Sequence, residues 1–213
     1  AELSRALGTA SITPLEMAVV FSAFANNGKT VTPLMIREIR SGNGDILETR
    51  SPSSTPGISP ETAVTVRSML IDAVRAGTGS RAQIKDRETF GKTGTTNDYS
   101  DAWFLGGVPG LTAVVYAGND DHKPLAKKGA TGGVIAAPVW KAFVEEAVKG
   151  LELPSKFSIP KDADVESVKI CRKSGFRAIK GCSAVTVYMK KNAAPSTTCP
   201  IHGGDMYASS QDP

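Results

Sequence analysis

Phe90-Gly91-Lys92-Thr93-Gly94-Thr95-Thr96 is the stretch on which the reading of this chain turns. Phe90 to Thr95 is predicted as a strand, and it places a lysine, two hydroxyls and a glycine at the strand's end. A strand edge offers backbone N–H groups, glycine admits a ligand close to the main chain, and lysine with hydroxyls suits a carboxylate. Working outward, Ala102 to Val108 and Leu111 to Gly118 read as two more strands joined by a Pro109-Gly110 turn. Three strands in quick succession with tight turns imply an antiparallel sheet.

Upstream, Thr13-Pro14-Leu15-Glu16 is a capping box with proline at the first helical position. It predicts a helix from Pro14 to about Asn27, stopped by Gly28 and apolar around most of its cylinder, hence buried against a sheet. Val31 to Ile39 and Ile46 to Thr49 flank a Gly42-Asn43-Gly44-Asp45 turn and read as a hairpin. A Ser/Pro-rich loop (51–58) follows. Ser59 then caps a second helix with Pro60 at its first position, with Ala63, Val66, Leu70, Ala73 and Val74 on one face and an end near Gly77. Downstream, a glycine-rich loop (129–133) leads to a helix opened by Pro138, predicted to bury Val139, Trp140, Phe143, Val144 and Val148 and to end at Gly150. The fold class is therefore α+β, helices packed on an antiparallel sheet.

From Leu151 the character changes. Prolines stand at 154, 160, 195 and 200, all three cysteines fall here, and periodicity is weak. The expected organisation is a main body over residues 1–150 and a Cys-containing tail or small appendage over 151–213.

A chain of 213 residues with 40% apolar content can bury a sizeable core, which excludes a disordered or fibrous reading. The net charge of +4 is not gathered into one stripe with interleaved aromatics. Several basic residues cluster late, from Lys169 to Lys191, but no nucleic-acid footprint is present and no nucleic-acid partner is expected. No uninterrupted apolar run reaches membrane-spanning length, no signal peptide is visible, and the chain opens at Ala1, which reads as a fragment or a processed piece.

Lys-Thr-Gly is one of three signatures of penicillin-binding proteins and serine β-lactamases, and three letters alone are a weak signal. Here the match extends over Gly91-Lys92-Thr93-Gly94-Thr95-Thr96-Asn97-Asp98-Tyr99-Ser100-Asp101-Ala102-Trp103-Phe104. This stretch resembles class A, bifunctional penicillin-binding proteins. Ala6-Leu7-Gly8-Thr9, Thr13 to Ala18 and Phe24 to Gly28 are similar to the family's upstream helix, and Gly129 to Gly133 with Ala136 to Lys141 to its closing segment. The resemblance covers roughly residues 1–150 in order. It implies a partial domain of the β-lactamase/transpeptidase-like fold, a D,D-transpeptidase acting through an acyl-serine, and a substrate class of peptidoglycan stem peptides ending in D-Ala-D-Ala, with β-lactams as mimics.

Carried over residue by residue, the resemblance makes Lys92 and Thr95 the catalytic candidates. Lys92 would join the network around the nucleophile and attract the substrate carboxylate, and the Thr95 N–H would be one of two oxyanion donors. Thr93, Gly94, Thr95 and Thr96 would be the substrate-binding residues. No cofactor and no metal is expected. The implied location is the extracytoplasmic face of the bacterial membrane, with the anchor outside this chain.

The serine-x-x-lysine and serine-x-asparagine motifs of the family should precede this chain. Two internal matches are rejected. Ser158-Ile159-Pro160-Lys161 follows Lys92 instead of preceding it, and Pro160 disfavours helical geometry at Ile159. With 19 serines and 15 lysines, about one such pair is expected by chance. Ser41-Gly42-Asn43 is explained by turn geometry. The serine nucleophile is therefore expected on an upstream part of the same protein or on a separate chain. Two alternatives stay open: a serine β-lactamase-like hydrolase, for which no matching glutamate is found, and a non-catalytic binding module of the same fold.

Cys171, Cys182 and Cys199 are odd in number. An extracytoplasmic location would permit one disulfide, leaving the third thiol free or paired outside the chain. A zinc site from these three and His202 is the sharper alternative. The intervals of ten, sixteen and two residues lack the usual close Cys pair, which weighs against it. His122, beside Asp120 and Asp121, reads as a solvated loop residue.

Overall fold

A computed structural model describes residues 11–126 and 128–203. The Ala6 to Thr9 stretch lies outside the described residues. Helix α1 (Pro14–Ala25) begins on the predicted capping box. The Thr13 hydroxyl accepts from the Glu16 N–H at 3.2 Å, and the Glu16 carboxylate accepts from the Thr13 N–H at 2.8 Å. The chain then turns through Asn27 and Gly28, both at positive φ. Burial along α1 is confined to Phe21, Ser22 and Ala23, while Leu15 and Val20 face outward. The expectation of a helix buried all round is thus corrected: α1 packs on one face of the sheet only.

The predicted 31–39 strand divides, because Pro33 lacks the N–H a ladder needs. The result is β1 (Lys29–Val31) and β2 (Glu38–Arg40), followed by β3 (Ile46–Thr49) and β4 (Ser54–Pro56). β2 pairs with β3 around the expected turn, and β1 pairs with β4, which arises from the Ser/Pro-rich loop. Helix α2 (Pro60–Ala76) starts where Ser59 accepts from the Thr62 N–H and closes at Gly77.

The central sheet is antiparallel, β5 (Phe90–Thr95), β6 (Asp101–Val108) and β7 (Leu111–Gly118), in the order β5-β6-β7. One face carries Phe104, Val108, Leu111, Ala113 and Val115 against helix α3 (Ala136–Ala147) and Val74 of α2. The other carries Phe90, Leu105, Trp103 and Val114 against Phe21 and Phe24 of α1 and Leu70 and Ile71 of α2. In α3 the buried residues are Ala136, Ala137, Trp140 and Val144, whereas Val139 and Phe143 are exposed. This corrects their expected burial, since at 100° per residue they fall off the stripe defined by Trp140 and Val144.

The tail folds back. Arg87 donates to Leu153 O at 3.0 Å, Glu88 accepts from the Phe157 N–H, and the Phe157 ring meets Phe90 edge-on. Beyond it lies a hairpin that weak periodicity did not reveal, β8 (Val165–Cys171) with β9 (Ala184–Lys190), docked on α2. No disulfide joins the cysteines. All three thiols are free and converge with the His202 ring, their ligand atoms lying within 4.8 Å of one another. The spacing argument looked for a close Cys pair; the close pair here is Cys199 with His202.

Candidate active site

The register of the β5–β6 ladder determines what the β5 edge presents. Gly94 stands opposite Trp103 and Thr95 opposite Ala102. The Thr96 N–H donates to Asp101 O at 3.2 Å, so Thr96 faces the partner strand. Neighbouring amides along a strand point opposite ways. The Thr95 N–H, and with it the N–H and C=O of Thr93, therefore points away from β6. Among the described residues that side is the free edge of the sheet.

The Lys92 side chain reaches the same edge, where its ammonium donates to Thr93 O at 2.8 Å. A cation, an outward amide and the Thr93 carbonyl thus line one side of a short, exposed segment. Thr93 and Thr95 project from the face shared with α3. The Thr93 and Thr78 hydroxyls are hydrogen-bonded at 2.8 Å, and Thr95 Oγ1 accepts from the Gly132 N–H at 3.0 Å. The Thr95 hydroxyl retains its own proton for an anionic ligand.

The glycine-rich loop belongs to this arrangement. Gly132 lies flat on the Gly94–Trp103 pair: a Cβ there would come inside 3.0 Å of both Trp103 O and Gly94 O, and 3.1 Å from Gly94 N. Gly133 sits similarly on Thr78, with a Cβ 2.5 Å from its carbonyl oxygen. Only glycine lets this loop approach the strand closely enough for the Thr95 contact.

The β5–β6 turn is fixed by its own side chains. Thr96 Oγ1 accepts from the Asp101 N–H at 2.9 Å, and the Asp101 carboxylate accepts from Ser100 Oγ at 2.8 Å and Tyr116 Oη at 2.7 Å. The bond to Asp101 raises the Tyr116 phenol above its ordinary pKa, and the Ser100 amide lowers that of Asp98. Thr96, expected to touch substrate, has its hydroxyl engaged in this turn.

The residues offered by sequence thus fall together at one strand end, since they are contiguous. Thr78 and Gly132 were missed as partners, because only the tertiary fold brings them to β5. Of the rejected matches, Ser158 bonds Asn27 and lends its carbonyl to Arg67, and Ser41 closes the β2–β3 hairpin. His122 is an exposed turn residue with positive φ.

The penicillin binding protein transpeptidase domain model matches residues 1–145. The chain is 36% identical over 197 residues to penicillin-binding protein 1A of Aquifex aeolicus, covering 92% of this chain and 26% of that protein. It is 39% identical over 156 residues to penicillin-binding protein 1A of Neisseria gonorrhoeae, covering 70% and 19%. It thus spans about a quarter or less of these relatives. A crystal structure of penicillin-binding protein 1A from Haemophilus influenzae superposes with a TM-score of 0.80 at 28% identity, over 93% of this chain and 35% of that one. The PonA1 protein from Mycobacterium tuberculosis, solved in complex with penicillin V, shares the fold with a TM-score of 0.67 at 24% identity, over 75% and 44%.

Proposed function

The chain belongs to the penicillin-binding protein transpeptidase family and has its fold, and on that premise we propose that it forms the carboxylate-binding and oxyanion wall of a peptidoglycan D,D-transpeptidase. The observation that carries this reading is the β5 edge, where the Lys92 ammonium and the outward Thr95 amide share one side. We assign the nucleophilic serine and its base to a segment outside these 213 residues, in the same protein or on a separate chain. Residues 1–150 are then the C-terminal part of the transpeptidase domain and 151–213 its appendage.

In this reading the stem peptide, or a β-lactam in its place, lies along the β5 edge as an added strand. The Thr93 and Thr95 hydroxyls and Lys92 hold its carboxylate. When the serine oxygen attacks the scissile carbonyl, charge grows on the carbonyl oxygen and the Thr95 N–H donates to it. One such donor is worth on the order of 10²–10³ in rate. Gly94 keeps the strand open, and Thr96 contributes by holding the turn beyond Thr95. Among the described residues no helix is long and apolar enough to cross a membrane. The substrate polymer puts the site on the extracytoplasmic face.

Fluorescent penicillin tests both parts. The full-length protein should become covalently labelled and the isolated chain should not. Labelling of the isolated chain would overturn the external nucleophile, and an unlabelled full-length protein would overturn the transpeptidase reading.

A further inference from the structure

The tail holds a second cluster of reactive groups that the β5 site does not use. His202 Nδ1 lies 3.6 Å from Cys171 Sγ, 3.3 Å from Cys182 Sγ and 3.2 Å from Cys199 Sγ. All four ligand atoms fall within 4.8 Å of one another. A tetrahedral zinc ion with sulfur at about 2.3 Å and nitrogen at about 2.0–2.1 Å requires sulfur–nitrogen separations of about 3.6 Å. The three sulfur–nitrogen separations match this to within a few tenths of an ångström. Cys171 and Cys199 are fully buried, and Cys182 and His202 are partly covered.

We propose that Cys171, Cys182, Cys199 and His202 bind one structural zinc ion that pins the β8–β9 hairpin to the chain's closing segment.

The backbone is built for this. Cys199-Pro200-Ile201-His202-Gly203 places two ligands three residues apart before a glycine. Cys171-Arg172-Lys173-Ser174-Gly175 repeats the pattern, with a serine at the position of the histidine. Ser174 stands where a fourth ligand would complete that turn, and its hydroxyl instead donates to Cys199 Sγ at 3.2 Å. Cys182 takes the vacated place in the ligand set and accepts from the Ile179 N–H at 3.4 Å. Hydrogen bonds to ligating atoms fix their orientation. Main-chain bonds tie the ligand-bearing segments together, Cys171 N to Phe176 O at 2.9 Å and Cys199 N to Arg177 O at 2.8 Å. Four ligands leave no open coordination position, the arrangement of a structural and not a catalytic zinc. Lys173 and Lys180 on the same loops partly offset the negative charge of three thiolates, while Arg172 and Arg177 are paired with Asp72 and Glu166.

The test uses the 213-residue chain purified without chelator. Elemental analysis should find about one zinc per chain. Cobalt(II) in its place should give thiolate-to-metal charge transfer and the strong d–d absorption of a tetrahedral site. Cys182→Ser and His202→Ala should each release metal to a chelator at least tenfold more readily. The cobalt spectrum is read on the unmodified chain, so a variant that misfolds leaves the test intact. A metal-free chain with a disulfide, a metal-free chain with three alkylatable thiols, an iron–sulfur chromophore, or variants that hold metal as the parent does would each overturn the assignment.

Discussion

Replacing Gly132 by alanine puts one methyl group between the glycine-rich loop and β5. Its Cβ would lie inside 3.0 Å of Trp103 O and Gly94 O. Both are backbone atoms of the central ladder, so no rotamer change relieves the overlap, and the loop must lift by about 1 Å to restore van der Waals separation. Lifting breaks the 3.0 Å bond from the Gly132 N–H to Thr95 Oγ1. Overpacking of this kind costs about 1–3 kcal/mol. At about 2–4 °C per kcal/mol for a chain of this size, the isolated chain should melt roughly 2–12 °C lower. The effect on acylation is larger in proportion, because a displacement of about 1 Å at a reacting centre costs about 10²-fold. Gly129→Ala is the control. Its φ of +79° strains an alanine by about 1–2 kcal/mol, but a Cβ there meets nothing within 4 Å. The assay is the rate of fluorescent-penicillin acylation in the full-length protein, with melting of the isolated chain alongside. Acylation of Gly132→Ala at the parent rate, or equal loss in both variants, would refute the contact argument.

Thr95→Val keeps the outward amide and removes the hydroxyl. A hydrogen bond to a charged group is worth about 1.5–3 kcal/mol, so acylation should fall roughly 10–150-fold while the chain still folds, as measured by acylation kinetics and circular dichroism. Arg67→Met removes a buried guanidinium that donates to Phe24 O, Asn27 Oδ1 and Ser158 O and lies 4.7 Å over the Phe157 ring. Burial lowers its pKa, and the three stranded acceptors should cost about 3–5 kcal/mol by urea denaturation. The Glu16 carboxyl is held below its ordinary value of 4.5 chiefly by the Thr13 amide. Its folded pKa is depressed, so the capping contribution is complete above about 4.5 and is lost as pH falls through the lower folded value. Thr13→Ala removes the hydroxyl bond to Glu16 and keeps the amide bond, so an NMR titration of Glu16 in that variant should move its pKa only part of the way back toward 4.5.

What sequence reveals here follows the range of the interactions. The starts of α1 and α2 were legible because Thr13 and Ser59 satisfy amides within three residues, and β6–β7 because Pro109-Gly110 leaves the chain one way to turn. The β1–β4 pair was not, since strands of three residues matched across the 51–58 loop carry no local pattern. The Lys92 to Thr95 edge was readable as contiguous residues, whereas Gly132 comes to Thr95 from 37 positions away. Arg67 carries no local sign of burial, because it is the end of α1 and the 157–158 segment that cover it. The convergence of Cys171, Cys182, Cys199 and His202 was hidden for the same reason: linear intervals do not show what the hairpin and its backbone bonds bring together.

Helix α2 links the tail to the candidate active site, because β9 and β8 dock on it and it packs in turn on β5. Among the described residues, polar links fasten the tail to it: Arg67 to Ser158 O at 2.9 Å, Arg172 to Asp72 at 2.7 Å, the Tyr188 N–H to Ser68 Oγ at 3.1 Å, and the Asp164 N–H to Glu61 Oε1 at 3.4 Å. The Arg172–Asp72 pair is the most conspicuous, yet both side chains are partly exposed, at 36% and 22%. Screened pairs of this kind contribute about 1 kcal/mol or less. Arg172→Ala should therefore leave hydrogen-exchange protection of the β8–β9 amides nearly intact, whereas chelation of zinc should remove it, because Val168 and Val187 are buried only while the hairpin is held. The opposite outcome, protection lost in Arg172→Ala with zinc still bound, would place the docking energy in the ion pair and leave the metal holding only its own loops.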